Sequence, residues 1–116
     1  MDSVCEPEAA LQRLGGDVQL YRELVQSFVD DTAGLLPRLD ASIAAADYEG
    51  VHRAAHCLKG TAATCGALAV ADACAAIEQA GLDKDLRHSE RQLNELRGRL
   101  REAASRLASF CDPTKD

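Results

Sequence analysis

The stretch from Val51 to Leu68 (VHRAAHCLKGTAATCGAL) contains the residue types whose spacing could support chemistry. On a helix, at about 100° per residue, its small and apolar residues fall on one broad face that is suited to a core. These are Val51, Ala54, Ala55, Leu58, Ala62 and Cys65. The opposite face carries His52, His56, Lys59, Gly60 and Ala63. His56 is therefore predicted to face solvent, one turn from a lysine and one turn from a glycine.

This exposed strip suits the covalent carriage of a phosphoryl group on histidine. A histidine with a pKa near 6.5 is roughly three quarters neutral at pH 7, so a ring nitrogen is available as a nucleophile. Lys59 can place an ammonium group beside phosphoryl oxygens. Gly60 is unexpected inside a helix, where glycine costs about 1 kcal/mol relative to alanine. A bare backbone one turn from His56 leaves room for an incoming donor.

The sequence contains neither a P-loop nor a dinucleotide glycine fingerprint, and no credible cluster of carboxylates for Mg²⁺. A phosphoryl group on His56 would therefore come from another protein that brings the metal and the catalytic groups. The i, i+4 spacing of His52 and His56 could also chelate a metal ion. However, Arg53 stands where a zinc protease has glutamate, and Arg53 and Lys59 would repel a cation. No metal site is predicted.

The elements that must position this strip are helices. Alanine, leucine, arginine, glutamate and lysine make up 57 of the 116 residues, whereas valine, isoleucine, phenylalanine, tyrosine and tryptophan supply 12. This balance predicts an all-α fold and argues against sandwiches, barrels and nucleotide-binding α/β folds. The net charge of −6 argues against nucleic acid as a partner. We expect no membrane span and no secretory signal, because no apolar run approaches about 18 residues and the N-terminus is acidic.

The cysteines indicate a reducing compartment. There are five of them, Cys5, Cys57, Cys65, Cys74 and Cys111, and no C-x-x-C pair or zinc-ligand spacing occurs. We expect free thiols that serve as small apolar residues in the cytoplasm.

Glycine, proline and aspartate divide the chain into predicted helices over residues 7–14, 18–46, 48–65 and 68–80, followed by a last helix that starts at Asp83 or Asp85. Asp17 and Asp47 are expected to cap the second and third helices, and Gly66 and Gly81 to end the third and fourth. Pro37 predicts a kink in the second helix or a break into two.

Apolar stripes indicate which faces of these helices are buried. The stripe of the second helix is Leu20, Leu24, Phe28, Leu35, Leu39, Ile43 and Ala46. That of the fourth is Leu68, Ala71, Cys74 and Ile77. The last helix has a nearly heptad pattern of Leu86, Leu93, Leu96, Leu100, Ala103, Leu107 and Phe110. We expect an up-and-down antiparallel four-helix bundle whose end is closed by a short extra N-terminal helix.

The length predicts a single domain over residues 1–116, with a core at about 6–110 and a frayed polar tail at 112–116.

The segment Ala55–Ala62 (AHCLKGTA), followed by Gly66-Ala67, resembles the motif of histidine-containing phosphotransfer (HPt) domains of multistep two-component phosphorelays. Residues 11–31 (LQRLGGDVQLYRELVQSFVDD) are similar to the usual entry of that family, and Ile77-Glu78 fits its next helix. The similarity covers about residues 8–82. The departures leave the histidine, lysine and glycine untouched: Thr61 where serine is common, Cys57 directly after the histidine, and Pro37 in the long helix.

The resemblance implies a phosphocarrier without kinase activity. His56 would accept the phosphoryl group, through Nε2, and exchange it with an aspartate of a receiver domain in a response regulator or hybrid sensor kinase. Lys59 would balance the phosphoryl charge. The receiver would approach over Gly60, Ala63, His52 and Arg53. It also implies a monomer that binds no cofactor, with Mg²⁺ supplied by the receiver.

Two other functions fit parts of the sequence. The heptad-like last helix could make the chain a helical adaptor or a dimerisation module without phosphotransfer. The cysteines, above all Cys57 beside His56, could make it a thiol-based sensor.

Overall fold

The computed structural model describes residues 5–111, without the side chains of residues 86, 88 and 89. This part of the chain folds into five helices and no strand: α1 (Pro7–Arg13), α2 (Val18–Ala44), α3 (Tyr48–Cys65), α4 (Leu68–Leu82) and α5 (Leu86–Cys111). The predicted all-α bundle with a short extra N-terminal helix is confirmed. The tail at 112–116, predicted to fray, lies outside the described residues.

The four long helices pack in chain order. α3 lies between α2 and α4, α4 packs against α5, and a looser contact between α2 and α5 closes the bundle. Short connections make successive helices antiparallel neighbours. α1 contacts α2 and α3 at one end. Within residues 5–111, none of the helices has both the length and the apolar composition needed to cross a bilayer.

The predicted N-caps of α2 and α3 are confirmed. The Asp17 carboxylate accepts a hydrogen bond from the Leu20 N–H at 3.0 Å, and Asp47 accepts one from the Gly50 N–H at 3.0 Å. Each bond satisfies a backbone donor that has no partner within its helix. The two aspartates therefore fix where the long helices begin.

Gly66 ends α3 as predicted, in the left-handed conformation with φ +82°. Its carbonyl accepts a hydrogen bond from the Glu6 N–H at 2.7 Å. A Cβ at this position would lie 2.5 Å from the Glu6 carbonyl oxygen, so the close approach also requires glycine. The turn between α3 and α4 is thereby tied to the N-terminal segment.

Of the two outcomes predicted at Pro37, a kink or a break, the break is excluded because α2 continues to Ala44. Two other sequence predictions about these helices are wrong. Leu20, predicted in the core, is 40% exposed, and Tyr21 is buried in its place. Gly81 does not end α4 but lies buried inside it, where a Cβ would come within 3.2 Å of the α3 backbone. Small size at 81 therefore serves close helix packing rather than termination.

The core follows the predicted faces most closely in α3 and α5. The six residues predicted to form the apolar face of α3 are the buried ones. α5 buries Leu93, Leu96, Leu100, Ala103 and Leu107. α4 has a wider buried surface than its predicted stripe, because it packs against helices on two sides: Ala69, Val70, Ala73, Cys74, Ile77, Ala80 and Gly81.

Tyr21 joins three helices at one end of the bundle. Its hydroxyl donates a hydrogen bond to the carbonyl oxygen of Cys65 at 2.6 Å. That carbonyl belongs to the last residue of α3 and has no intrahelical partner. The Tyr21 ring also meets Phe110 of α5 edge to face, with ring centroids 5.7 Å apart.

We expect Tyr21→Phe to lower the free energy of unfolding by about 1–2 kcal/mol, because the ring contacts remain but a buried carbonyl loses its donor. Denaturant titration measures this difference. Tyr48→Phe is the matched control, since the Tyr48 hydroxyl has no hydrogen-bond partner among the described residues, and it should change stability by less than about 0.5 kcal/mol. Equal effects of the two substitutions would contradict the assigned role of the hydroxyl.

Candidate functional site

The burial of one face of α3 turns the other face outward. With its six apolar residues in the core, the helix has one possible rotation about its axis. His56 is then directed to solvent, and 64% of its side chain is exposed. The predicted exposure of this histidine is confirmed.

The side chain that organises this exposed face comes from the neighbouring helix. Glu78 of α4 is largely buried, with 13% of its side chain exposed. Its Oε2 lies 2.7 Å from His56 Nδ1, and its Oε1 accepts a hydrogen bond from Lys59 Nζ at 2.5 Å. One carboxylate therefore binds the predicted nucleophile and the predicted charge-balancing lysine together.

The bond to Glu78 selects one tautomer of the His56 ring. An ionised carboxylate only accepts hydrogen bonds, so Nδ1 must carry the proton that is donated. In the neutral ring the lone pair then lies on Nε2. Because the ring is mostly exposed, this nitrogen is accessible to an electrophile from solvent or from a docked protein.

Glu78 is held in its charged form. The hydrogen bond from Lys59, supported by the bond from His56, lowers the pKa of Glu78 below its ordinary value of 4.5 and outweighs the opposing effect of burial. The carboxylate is therefore ionised at neutral pH, as the tautomer argument requires.

Lys59 is not a free surface ammonium. It is about one third exposed and is paired with Glu78. An ammonium group has three donors, and this pairing uses one of them. Two donors of Lys59 remain for an anion that arrives at His56.

The other predicted strip residues lie around His56 in different ways. His52 Nε2 is 3.3 Å from Glu78 Oε2, and its ring is within 14° of parallel to the His56 ring at 6.1 Å between centroids. Arg53 instead pairs with Glu49 and lines a groove between α2 and α3. The structure thus brings His52 into the Glu78 cluster and leaves Arg53 outside it.

Gly60 and Ala63 leave the surface beside His56 low and open. Both are exposed, and a Cβ added at Gly60 would meet nothing within 4 Å. The fold itself therefore gives no reason for glycine at position 60.

All five cysteines carry free thiols, and three of them are buried. Burial raises the pKa of Cys65 to about 11 and that of Cys74 to about 12, so both thiols stay protonated and poorly reactive at neutral pH. Cys57 is exposed next to His56. In residues 5–111, no group of three or more histidine, cysteine or acidic side chains is arranged to hold a metal ion.

Sequence reasoning placed Glu78 on the next helix but did not assign it a role. A signal was present in the register of the helix pair. α3 and α4 are joined by only Gly66 and Ala67. His56 lies ten residues before this connection and Glu78 eleven residues after it. In an antiparallel hairpin, such positions face each other, so a carboxylate there should meet the histidine.

Comparisons with known proteins identify the family from a family model and the fold from a solved structure. The family model of the Hpt domain matches residues 23–110, which is most of the chain. No curated protein matches the sequence. Among solved structures, the chain resembles the crystal structure of histidine-containing phosphotransfer protein B (HptB) from Pseudomonas aeruginosa PAO1. The TM-score is 0.87 at 18% identity, over 97% of this chain and 98% of that one.

At that identity the structural likeness shows the shared fold, while the family model shows the family. Hpt proteins are phosphocarriers rather than enzymes in themselves, and Hpt domains interact with receiver domains. The chain belongs to the Hpt domain family and acts in histidine phosphotransfer in phosphorelay signalling.

Proposed function

We propose that His56 is the residue that carries the phosphoryl group, through Nε2, and that it exchanges this group with an aspartate of a receiver domain. The hydrogen bond between His56 Nδ1 and Glu78 carries this proposal, because it leaves an unprotonated nitrogen on an exposed ring. The receiver brings Mg²⁺ and the remaining catalytic groups.

The proposed transfer balances without the loss of a proton. The Nε2 lone pair of His56 attacks the phosphorus of the aspartyl phosphate, and a nitrogen–phosphorus bond forms as the bond from phosphorus to the aspartate oxygen breaks. The freed carboxylate leaves with the electron pair. Because Nδ1 keeps its proton, the ring becomes positively charged, and the Glu78 carboxylate at 2.7 Å stabilises that charge. In the reverse step, a ring that is protonated on Nδ1 leaves as neutral imidazole. This is a better leaving group than the imidazolate anion that a ring without the Nδ1 proton would form.

In this proposal Lys59 interacts with both Glu78 and the phosphoryl group on His56. While one donor stays on Glu78, its other donors can reach phosphoryl oxygens on His56, one turn away on the same helix. The ammonium charge then offsets the negative charge that arrives with the phosphoryl group. Glu78 thus positions the lysine as well as the histidine.

Gly60 and Ala63 provide clearance for the receiver, and His52 and Arg53 form the rim of its docking surface. We further propose that the domain acts as a monomer in the cytoplasm. The heptad-like residues of α5 do not favour the alternative of a dimerisation module, because Leu93, Leu96, Leu100 and Leu107 are buried in the core of their own bundle.

His56→Gln should abolish phosphoryl uptake and leave the fold intact, since the replaced side chain is mostly exposed. The measurement is intact mass after treatment with phosphoramidate, with thermal unfolding followed alongside. We expect one acid-labile phosphoryl group on the wild-type protein and none on the variant. His88→Gln, which removes a histidine outside the strip, is the control and should still be labelled. Labelling of His56→Gln would refute the assignment.

Glu78→Gln should slow the phosphorylation of His56 roughly three- to tenfold, because glutamine can accept from Nδ1 but does not stabilise a charged ring. Initial rates with phosphoramidate at pH 8 measure this effect.

Lys59→Ala keeps the Glu78 carboxylate and tests the lysine separately. This variant should also slow phosphoryl uptake without abolishing it. Unchanged rates in both variants would show that the cluster does not assist the reaction.

The loss of stability caused by Glu78→Gln, measured against the wild-type protein, should depend on pH in a defined direction. The pKa of Glu78 is lowered in the folded state, so its ionised form stabilises the fold above the unfolded-state pKa of about 4.5, and this contribution is lost as pH falls through the folded-state value. The difference in unfolding free energy between wild type and variant should therefore be largest near neutral pH and shrink in acid. A difference that stays constant from pH 7 to pH 3 would contradict the ion pair.

Gly60→Leu should retain the fold and block the receiver. No atom lies within 4 Å of the added Cβ, and leucine favours a helix over glycine by roughly 0.5–1 kcal/mol, so the melting temperature should not fall. Labelling of His56 by phosphoramidate should persist, while transfer from a phosphorylated receiver domain should drop at least tenfold. Gly60→Ala is the smaller matched change. Wild-type transfer by Gly60→Leu would dismiss the clearance role.

A further inference from the structure

His52 occupies a place in the Glu78 cluster that the transfer step does not use. Its Nε2 lies 3.3 Å from Glu78 Oε2, the same oxygen that accepts from His56. Its side chain is 37% exposed, so protons from solvent can reach it. His52 is therefore placed where a change of charge on Glu78, Lys59 or His56 would act on it directly.

The charged groups nearest to His52 come from two helices. α4 contributes Glu78, and α3 contributes His56 and Lys59, which are bonded to the same carboxylate, as well as the Glu49–Arg53 ion pair beside His52 in sequence. α2 packs on the other side of α3, where its Arg38 lines a groove with Arg53 and Cys57. The carboxylate that His52 contacts is therefore shared with Lys59 and His56, so a change at either of them changes the charge beside His52.

A phosphoryl group on His56 changes this balance toward negative charge. The fully ionised phosphoryl group brings two negative charges. The His56 ring, which keeps its Nδ1 proton, gains one positive charge, so the net change is toward negative charge. Lys59 would also turn part of its hydrogen bonding toward the phosphoryl oxygens and neutralise Glu78 less completely. Both changes favour a positive charge on the neighbouring ring, whose centroid is 6.1 Å away.

We infer that His52 takes up a proton from solvent when His56 is phosphorylated, so that the phosphoryl group and this proton bind to one face cooperatively. The inference rests on the proposed function of His56. Binding linkage is reciprocal, so protonation of His52 must in turn favour the phosphorylated carrier. A positive charge on His52 would then shift the exchange with a receiver aspartate toward His56, and His52 would influence the direction of phosphoryl flow without touching the reacting atoms.

The test is a titration of the histidine rings by NMR, on protein with ¹³C-labelled histidine, before and after phosphorylation with phosphoramidate. Intact mass is recorded first to establish that a phosphoryl group is present. His52→Gln identifies the His52 signal by its disappearance. We expect the titration midpoint of His52 to rise by about half a pH unit or more on phosphorylation, the size of shift that net negative charge at this separation produces near a surface.

The matched control is His56→Gln treated in the same way, in which the midpoint of His52 should not move. A midpoint that is equal or lower in the phosphorylated wild type would overturn the inference and leave the proposed function standing. A wild-type protein that takes up no phosphoryl group on His56 would overturn both.

Discussion

The carboxylate of Glu78 reaches from α4 to α3 and accepts a hydrogen bond on each of its oxygens, from Lys59 on one and from His56 on the other. The chemistry of the exposed face depends on this contact. It sets the tautomer of the histidine, and it holds the lysine one turn away. It also keeps a negative charge where a positive ring would form during transfer. Without it, His56 would be a surface histidine with either nitrogen protonated.

The rest of the bundle keeps the two helices in the register that this contact needs. The apolar face of α3 fixes the rotation of the helix, and the left-handed Gly66 sets a turn so short that α4 returns directly alongside. Gly81 allows the backbones of the two helices to approach closely near the far end of the pair. Tyr21 anchors the last carbonyl of α3 from α2. Together these features fix how α3 and α4 pack beside each other, and so where His56 and Glu78 meet.

Much of the fold, and the exposure of His56, could be predicted from the sequence. The periodicity of α3 identified its buried face and the exposure of His56, and Asp17, Asp47 and Gly66 marked helix ends, because these are local effects of geometry and capping. Tertiary packing decided the rest. Leu20 and Tyr21 are adjacent on the helix, but it is Tyr21 that is buried in the core, where its hydroxyl reaches the carbonyl oxygen of Cys65. Gly81 and Glu78 matter because of their contacts with α3. The pattern of residues along α4 alone does not reveal contacts with another helix.

We propose above all that the Glu78 contact makes Nε2 of His56 the phosphoryl acceptor. The most direct measurement is NMR of the phosphorylated protein with ¹⁵N-labelled histidine, in which coupling to ³¹P and the nitrogen shifts distinguish the two ring positions. We expect one phosphoryl group, on Nε2 of His56, with Nδ1 protonated and bonded to Glu78. A phosphoryl group on Nδ1, or on a residue other than His56, would contradict it.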